Sequence, residues 1–282
     1  MPAERAEKNA KLMDEASATN GNIRSDVQQV IRNSANDSTS GNNSNFANDP
    51  VSASDLISAS NPGLNEDIAL ALLKLNDLSA EVLQALSKNS ALTKSRKVKM
   101  ALAAHQKTPR HISMPLLRHL FTFDLMQVSL APATPADVKR AADEALVNRL
   151  ESTSQGERLS LARRGSARVA GALLLDSEPR IFQTALENSR LTEASVVKAV
   201  MQPDASPALV QGICHHSKWS LRREIRIALL RSQHTPMARA VEFARGIPFP
   251  MLKEILQNSK LPAKTKSYLL KDISGPKPAA QK

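Results

Sequence analysis

A short polar segment beside a helix-capping residue recurs along this chain, and it constrains the fold more than any other feature. Such segments lie at residues 75–81, 104–110, 131–137, 187–194, 203–208, 232–237 and 257–264. Most combine Thr or Ser with Pro or Ala, which favours the first turn of a helix because a hydroxyl caps a free N–H there and proline has none to lose. Several of these inter-helix turns are 25 to 29 residues apart. Two-helix units of that length cannot bury their apolar faces alone and must stack.

The turns predict an all-α fold, an α-solenoid of stacked helix pairs over residues 63–273. Residues 215–236 contain one complete helix with both of its turns, and Ser217 and Ser220 are its candidate N-caps. The helix should bury one face between its neighbours. The residues expected on that face are Leu221, Ile225, Ala228 and Leu229. All predicted helices together lie near 66–74, 79–88, 94–104, 110–121, 135–151, 192–201, 206–215, 220–231, 236–245, 249–257 and 262–272.

The N-terminal part of the chain has a different composition. Residues 34–54 consist largely of Asn, Ser and Asp. Such a segment brings too little apolar area to offset an ordering entropy of about 1–2 kcal/mol per residue. We therefore expect a disordered low-complexity arm at 1–62, the α-solenoid repeat domain at 63–273 and a flexible tail at 274–282.

The composition argues against several classes of protein. Aromatic residues make up 3% of the chain, which argues against a large β domain. Cys214 is the only cysteine, so the chain has no internal disulfide and no multi-cysteine metal site. It contains no run of about 18 apolar residues and no apolar core of a signal peptide. We expect a soluble cytoplasmic protein that enters no membrane and uses no cofactor.

Three short motifs resemble a known class of repeats. They are the Asn-x-x-Leu-Thr turn at 188–192, the His-x-x-Thr-Pro turn at 105–109 and the Trp-x-x-Arg-Arg helix start at 219–223. Together they resemble HEAT-like repeats, especially the leucine-rich repeat variant type, over residues 63–273. The resemblance implies alternating helices in a right-handed superhelix and leaves the function open, because such repeats serve many purposes. Residues 138–178 depart from the pattern, so the unit boundaries there stay open.

Basic residues are concentrated in two stretches. The chain has a net charge of +11, and residues 61–282 alone carry 33 basic and 19 acidic side chains, a net charge of +14. No acidic residue occurs between Glu81 and Asp124, and residues 215–245 have seven basic side chains against two acidic ones. If equivalent helices line one face, these stretches form a surface for an acidic partner. The candidate binding residues are Lys94, Arg96, Lys97, Lys99, Lys107, Arg110, Arg118, Lys218, Arg222, Arg223 and Arg226.

Two kinds of partner fit such a surface. The favoured interpretation is a non-enzymatic scaffold for protein–protein interaction that binds an acidic protein surface. The alternative is a nucleic-acid-binding protein that contacts the phosphate backbone without sequence specificity. Base-stacking aromatics are scarce and no sequence-reading motif occurs, which favours the protein partner. The charge also fits a solvated basic face with no partner, and nothing indicates a small-molecule substrate.

A metal site and an enzyme are further alternatives. All six histidines lie in the two basic stretches: His105, His111, His119, His215, His216 and His234. No HExxH motif accompanies them, and a histidine in a turn more simply forms local hydrogen bonds. Trp219 with Arg222 and Arg223 also resembles the helix starts of HEAT-like alkylpurine DNA glycosylases. The groove carboxylate and further aromatics of those enzymes have no counterpart here, so we expect no enzyme and predict that Trp219 is a core anchor.

Limited proteolysis should remove the N-terminal arm and stop near Leu64, because a low-complexity segment offers cleavable backbone and packed helices do not. Intact mass identifies the fragment, and its thermal unfolding midpoint should match that of the whole chain. Cleavage well inside residues 63–273 at the same protease concentration would contradict this domain boundary.

Overall fold

The computed structural model describes residues 64–274, and over this range the chain forms α-helices and no β-strand. The predicted all-α class is therefore confirmed. The first six helices are α1 Glu66–Leu72, α2 Ala80–Lys88, α3 Arg96–Ala104, α4 Arg110–Arg118, α5 Thr122–Leu130 and α6 Ala136–Arg149. The other nine are α7 Gln155–Arg164, α8 Ala167–Leu173, α9 Pro179–Leu186, α10 Glu193–Met201, α11 Pro207–His215, α12 Arg223–Arg231, α13 Met237–Arg245, α14 Phe249–Gln257 and α15 Ala263–Ser274.

The chain divides into two compact units, the first ending at Ala145 and the second beginning at Leu146. Short 3-10 turns occur at Leu92–Lys94 in the first unit and at Leu150–Ser152 in the second. The arm predicted at 1–62 and the tail predicted from 275 onwards lie outside the described residues.

In the first unit, α3 is the central helix. It packs against α1, α4 and α5. Val98 and Leu102 are one helical turn apart on α3, and both are completely buried. They belong to the same apolar core as Leu72 of α1 and Leu83 and Leu86 of α2. The core thus joins residues of different helices that are 11 to 30 positions apart in the sequence, so α1, α2 and α3 must pack on one another to bury their faces.

In the second unit, the helices form two rows. One row contains α8, α10, α12 and α14, each packed on the next. In the other row α9 packs against α7 and α11, and α13 packs against α15. Consecutive helices such as α7 and α8 or α12 and α13 also pack together. Each helix therefore buries more than one face, which explains why these short helices carry apolar residues at several angles.

Several inter-helix turns are held by a buried polar side chain that bonds back to an earlier helix. The Nδ2 of Asn188 donates to the carbonyl oxygens of Ala162 and Gly165, at 2.8 and 3.2 Å. The Oδ1 of Asn188 accepts from the N–H of Arg190 at 2.8 Å. The side chain thus satisfies carbonyls that the end of α7 leaves without a helical partner, and it shapes its own turn as well.

His105 and Ser259 form equivalent bonds in other turns. The Nε2 of buried His105 lies 2.9 Å from the carbonyl oxygen of Leu75, and its Nδ1 accepts from the N–H two residues later. The hydroxyl of Ser259 donates to the carbonyl oxygen of Leu230 at 2.6 Å and accepts from the N–H two residues later. The bonded residues are 30 and 29 positions apart, which agrees with the spacing of the turns. Asn, His and Ser therefore perform one task in this fold.

The turn before α12 differs from the prediction. The helix begins at Arg223 instead of residue 220, and the side chain of its N-cap residue, Arg222, makes no capping hydrogen bond. The predicted caps Ser217 and Ser220 are therefore wrong. The reason is that the carbonyl oxygen of Ser220 accepts a 2.7 Å hydrogen bond from Nε of Arg226, which keeps the preceding residues in a turn.

Trp219 occupies the core position that was expected for Leu221. The indole ring is buried, and its N–H donates to the carbonyl oxygen of Leu186 at 2.8 Å. Because the large ring fills the space, Leu221 remains 69% exposed, and the prediction that it is buried is wrong. The other predicted residues of this face, including Ile225 and Leu229, are buried, and the prediction of Trp219 as a core anchor is confirmed.

All eleven predicted helices are present, with ends that differ by at most three residues. Four helices had no prediction: α5, α7, α8 and α9. Three of these lie between residues 155 and 186, where Ser154 and Ser166 cap α7 and α8 with their hydroxyl groups. Gly165 allows the abrupt turn between α7 and α8, because a Cβ atom there would lie 2.5 Å from the carbonyl oxygen of Leu161.

Truncation of Ile225 and Leu221 should separate core from surface on one short segment. We expect Ile225→Ala to lower the free energy of unfolding by about 2–5 kcal/mol, because it removes buried methyl groups and leaves a cavity. Leu221→Ala should change it by less than about 0.5 kcal/mol, as is usual at exposed positions. Urea unfolding measures both variants, and equal losses would mean that Leu221 also contributes to the core.

Candidate functional site: a basic groove on the second unit

The eleven predicted binding residues lie on the surface of both units. Seven belong to the first unit and four to the second. Nine of the side chains are exposed, and only Lys99 and Arg226 are partly buried. Their placement is compatible with a basic binding surface, and that role stays a prediction.

In the first unit, Arg96 takes part in the fold itself. Its guanidinium donates to both carboxylate oxygens of buried Asp124, at 2.6 and 2.7 Å. The same carboxylate accepts from the backbone N–H of Phe121 at 3.3 Å, so it also caps the start of α5. The Phe121 side chain lies under the guanidinium, 5.0 Å from its central carbon to the ring centroid, and is 64% exposed. Arg96 therefore ties α3 to α5 at the surface.

Other basic residues of the first unit differ in their pairing. Lys97 lies 3.7 Å from a carboxylate oxygen of Glu66, and Arg110 pairs with Asp137. These pairs are solvated and contribute little to stability. The predicted residues that have no ion pair with a described acidic residue include Lys94, Lys99 and Lys107.

In the second unit, the predicted arginines also contact the fold. The Arg226 guanidinium, besides its bond to the carbonyl of Ser220, lies 5.6 Å from the ring centroid of Phe243. A terminal nitrogen of Arg223 lies 3.4 Å from the sulfur of Met251. Lys218 Nζ lies 4.1 Å from the ring centroid of Trp219. Arg226 is thus a structural residue as much as a surface charge.

The histidines and the cysteine were the other candidates for chemistry. Within residues 64–274, no group of three His, Cys, Asp or Glu side chains is placed to hold a metal ion. Burial lowers the pKa of His105, which serves a turn as described above. Burial raises the pKa of the Cys214 thiol to about 11. A thiol with that pKa is protonated near neutral pH and is a poor nucleophile.

A groove in the second unit brings together residues that the sequence analysis did not select. It has a volume of about 380 Å³ and lies along α8 and α10. The residues from α8 and the turn after it are Arg168, Gly171, Ala172 and Leu175. The residues from α10 and its C-cap are Ser195, Lys198, Ala199 and Gln202. Val147, near the end of α6, completes the lining.

Each wall of the groove is a single helix face. Both sets of four residues follow the spacing i, i+3, i+4 and i+7, which places side chains in one line along a helix. The two sets are offset by 27 residues along the chain, and α8 and α10 pack on each other. Gly171 sets the distance between the walls, because a Cβ atom there would lie 3.1 Å from Cβ of Ser195. Small residues at this contact let the two helices approach closely.

The lining of the groove is basic and partly apolar. Among the described residues, Arg168 and Lys198 are its two exposed cations, and none of those that line it is acidic. Leu175 is 40% exposed beside them. A groove with cations next to apolar side chains is complementary to an acidic amphipathic segment, whose apolar residues would cover Leu175 while its carboxylates face the cations.

The sequence contained a signal for this groove that the charge counts did not reveal. Arg168 and Lys198 are 30 residues apart, and neither belongs to the two stretches in which basic residues are concentrated. The informative signal is the alignment of RxxGAxxL at 168–175 with SxxKAxxQ at 195–202. This alignment requires the boundaries of α8, and those were open in the sequence analysis.

Comparisons with family models, with curated proteins and with solved structures found no match to this chain. None of the helices in the described part of the chain has both the length and the apolar character needed to cross a membrane.

The turn at His105 predicts a pH dependence of stability. Because burial lowers the pKa of His105 below its ordinary value of 6.5, the folded chain favours the neutral ring. This contribution to stability is complete above about pH 6.5 and is lost as the pH falls further, since the unfolded chain then binds the additional proton. The urea concentration at the unfolding midpoint should therefore decrease as the pH is lowered from about 7.5 to about 5.

Substitution of His105 separates this effect from other titrations. His105→Asn should reduce the fall in the urea midpoint, because Asn188 shows that an asparagine can form the same pair of turn bonds and it does not titrate. The control is His119→Asn, which replaces an exposed histidine of the same unit. An equal decrease of the urea midpoint in the unchanged chain and in both variants would contradict the assignment to His105.

Proposed function

We propose that this chain is a non-enzymatic binding protein, an α-solenoid scaffold whose groove along α8 and α10 binds an acidic segment of another protein. The observation that supports it most directly is the groove itself, in which two exposed cations and an exposed leucine occur with no acidic side chain. The two-row packing of the second unit supports the solenoid class, because stacked helix pairs repeat one face at regular intervals.

An amphipathic helix or an extended acidic segment fits this groove better than nucleic acid does. The lining contains no aromatic side chain on which a base could stack. Its apolar members, Val147, Ala172, Leu175 and Ala199, require an apolar counterpart on the ligand. A sugar-phosphate backbone offers none, whereas an acidic amphipathic peptide does.

A second candidate function, nonspecific nucleic-acid binding, is favoured by a separate observation in the first unit. Phe121 is 64% and Phe123 is 36% exposed, and the Arg96 guanidinium lies against Phe121. Exposed aromatic rings beside lysines are the usual means of binding single strands. Lys99 and Lys107 belong to the same unit and are without an ion pair to a described acidic residue.

A pull-down from native lysate distinguishes the two functions. The whole chain is used as bait with and without nuclease, and retained proteins are identified by mass spectrometry. A protein scaffold keeps the same partners after nuclease treatment. A nucleic-acid binder loses them, and its affinity for random single strands falls with salt, with a slope of about −0.7 in log K against log salt concentration per neutralised phosphate.

Charge reversal in the groove tests the site itself. Lys198→Glu should lower the affinity for a partner identified in the pull-down about tenfold, because it replaces an attraction by a repulsion at the contact. The matched control is Lys253→Glu, which makes the same charge change at an exposed position of α14 outside the groove. Binding is measured by calorimetry, and equal losses in both variants would show that only the net charge of the unit matters.

A further inference from the structure

A second and smaller cleft in the second unit is lined by three inter-helix turns. The turns follow α10, α12 and α14, which are successive helices of one row. The side chains that could contact a polar ligand there are Gln202, Arg231, Gln233, His234, Asn258 and Lys260. Gln202 also lines the groove described above, and the other five do not.

The size of the cleft restricts its ligand to a small group. Its volume is about 70 Å³. One water needs about 10–15 Å³ of such space, so the cleft holds a polyatomic ion or several waters. A nucleotide or a peptide would not enter it as a whole.

The charge of the cleft defines the sign of that group. Arg231 and Lys260 provide two permanent cations, and no acidic residue belongs to the lining. Gln202 and Asn258 add side-chain amides, which can donate hydrogen bonds. Oxyanions with several acceptor oxygens match such a set of donors, and guanidinium groups bind phosphate particularly well.

Arg231 has a donor that the protein does not use. Its Nε atom is buried and has no hydrogen-bond partner among the described residues. Buried donors without a partner are rare in folded proteins, and each one calls for a specific explanation. An oxyanion in the adjoining cleft would supply acceptor oxygens to this guanidinium.

The turns that carry the two cations are held together before any ligand arrives. The N–H of Lys260 donates to the carbonyl oxygen of Arg231 at 2.9 Å, and the hydroxyl of Ser259 donates to that of Leu230 at 2.6 Å. The backbones of Arg231 and Lys260 therefore stand in a fixed relation. A ligand that bridges their side chains has little backbone ordering to impose, which favours binding.

We propose that this cleft binds one oxyanion, a phosphate or a phosphate monoester, between Arg231 and Lys260. The side-chain amides of Gln202 and Asn258 supply neutral donors to the same group. The site is distinct from the groove along α8 and α10, and it does not depend on the function proposed for that groove.

Calorimetric titration of the whole chain with inorganic phosphate tests the proposal. Sodium chloride at the same ionic strength serves as the reference. We expect saturable binding of phosphate and a rise of the unfolding midpoint with its concentration. Lys260→Gln should weaken binding about tenfold, because a hydrogen bond to a charged group is among the stronger ones. Arg231→Gln should weaken it at least as much.

Matched variants make the result decisive. Lys260 is exposed, so its variant keeps the test valid even if the Arg231 variant does not fold. Lys264→Gln removes another exposed lysine, outside the cleft, and should bind phosphate as the unchanged chain does. The proposal is overturned by an equal response to chloride, by a Lys260 variant that binds normally or by a Lys264 variant that is equally weakened.

The source of the phosphate group is resolved by a parallel titration with O-phosphoserine. Tighter binding of O-phosphoserine than of inorganic phosphate assigns the cleft to a phosphorylated side chain. Equal or weaker binding assigns it to the free anion. Binding of neither compound overturns the proposal.

Discussion

The fold depends on hydrogen bonds that run from a turn back to the end of an earlier helix. Every helix leaves its last carbonyl groups without helical partners, and helices of seven to ten residues have many such ends per residue. Here the carbonyls of Ala162 and Leu230, near the ends of α7 and α12, accept from Asn188 and Ser259. The carbonyl of Leu75, in the turn after α1, is bonded to His105 in the same way. Apolar packing alone tolerates sliding of one helix along another. Bonds between fixed positions 26 to 30 residues apart do not, so within each unit they set the register of the packed helices.

These bonds also explain which parts of the fold could be predicted from the sequence. Turns that contain Pro and Thr can be recognised in the sequence, because both residues have strong positional preferences. The starts of the helices that follow such turns were therefore predicted to within a residue or two. The segment from α7 to α9 has weaker signals. There Gly165 and Ser166 alone separate two helices, and no proline marks the turn between them. The conformation of Gly165, with no room for a Cβ atom, becomes visible only in three dimensions.

The candidate site was less predictable, because charge counts locate basic residues without showing what each one contacts. Arg96 and Arg226 belong to the densest basic stretches, yet one holds buried Asp124 and the other holds the carbonyl oxygen of Ser220. The prediction that Leu221 is buried was wrong for a related reason. Its spacing suited a buried helix face, but the indole ring of Trp219 occupies that space and has its own hydrogen bond. The spacing of apolar residues does not show which of two neighbouring side chains fills a core position.

The groove and the cleft show how the side chains at corresponding positions differ between successive helices of one row. Ala172, Ala199 and Ala228 stand at one position of α8, α10 and α12, which pack on one another in this order. Three residues further on, at or just beyond the end of each helix, stand Leu175, Gln202 and Arg231. The close approach of α8 to α10 is at Gly171 and Ser195, so packing constrains those positions and leaves the helix ends free to differ in polarity. The row therefore changes from apolar to cationic at its turns while its helices pack in the same way.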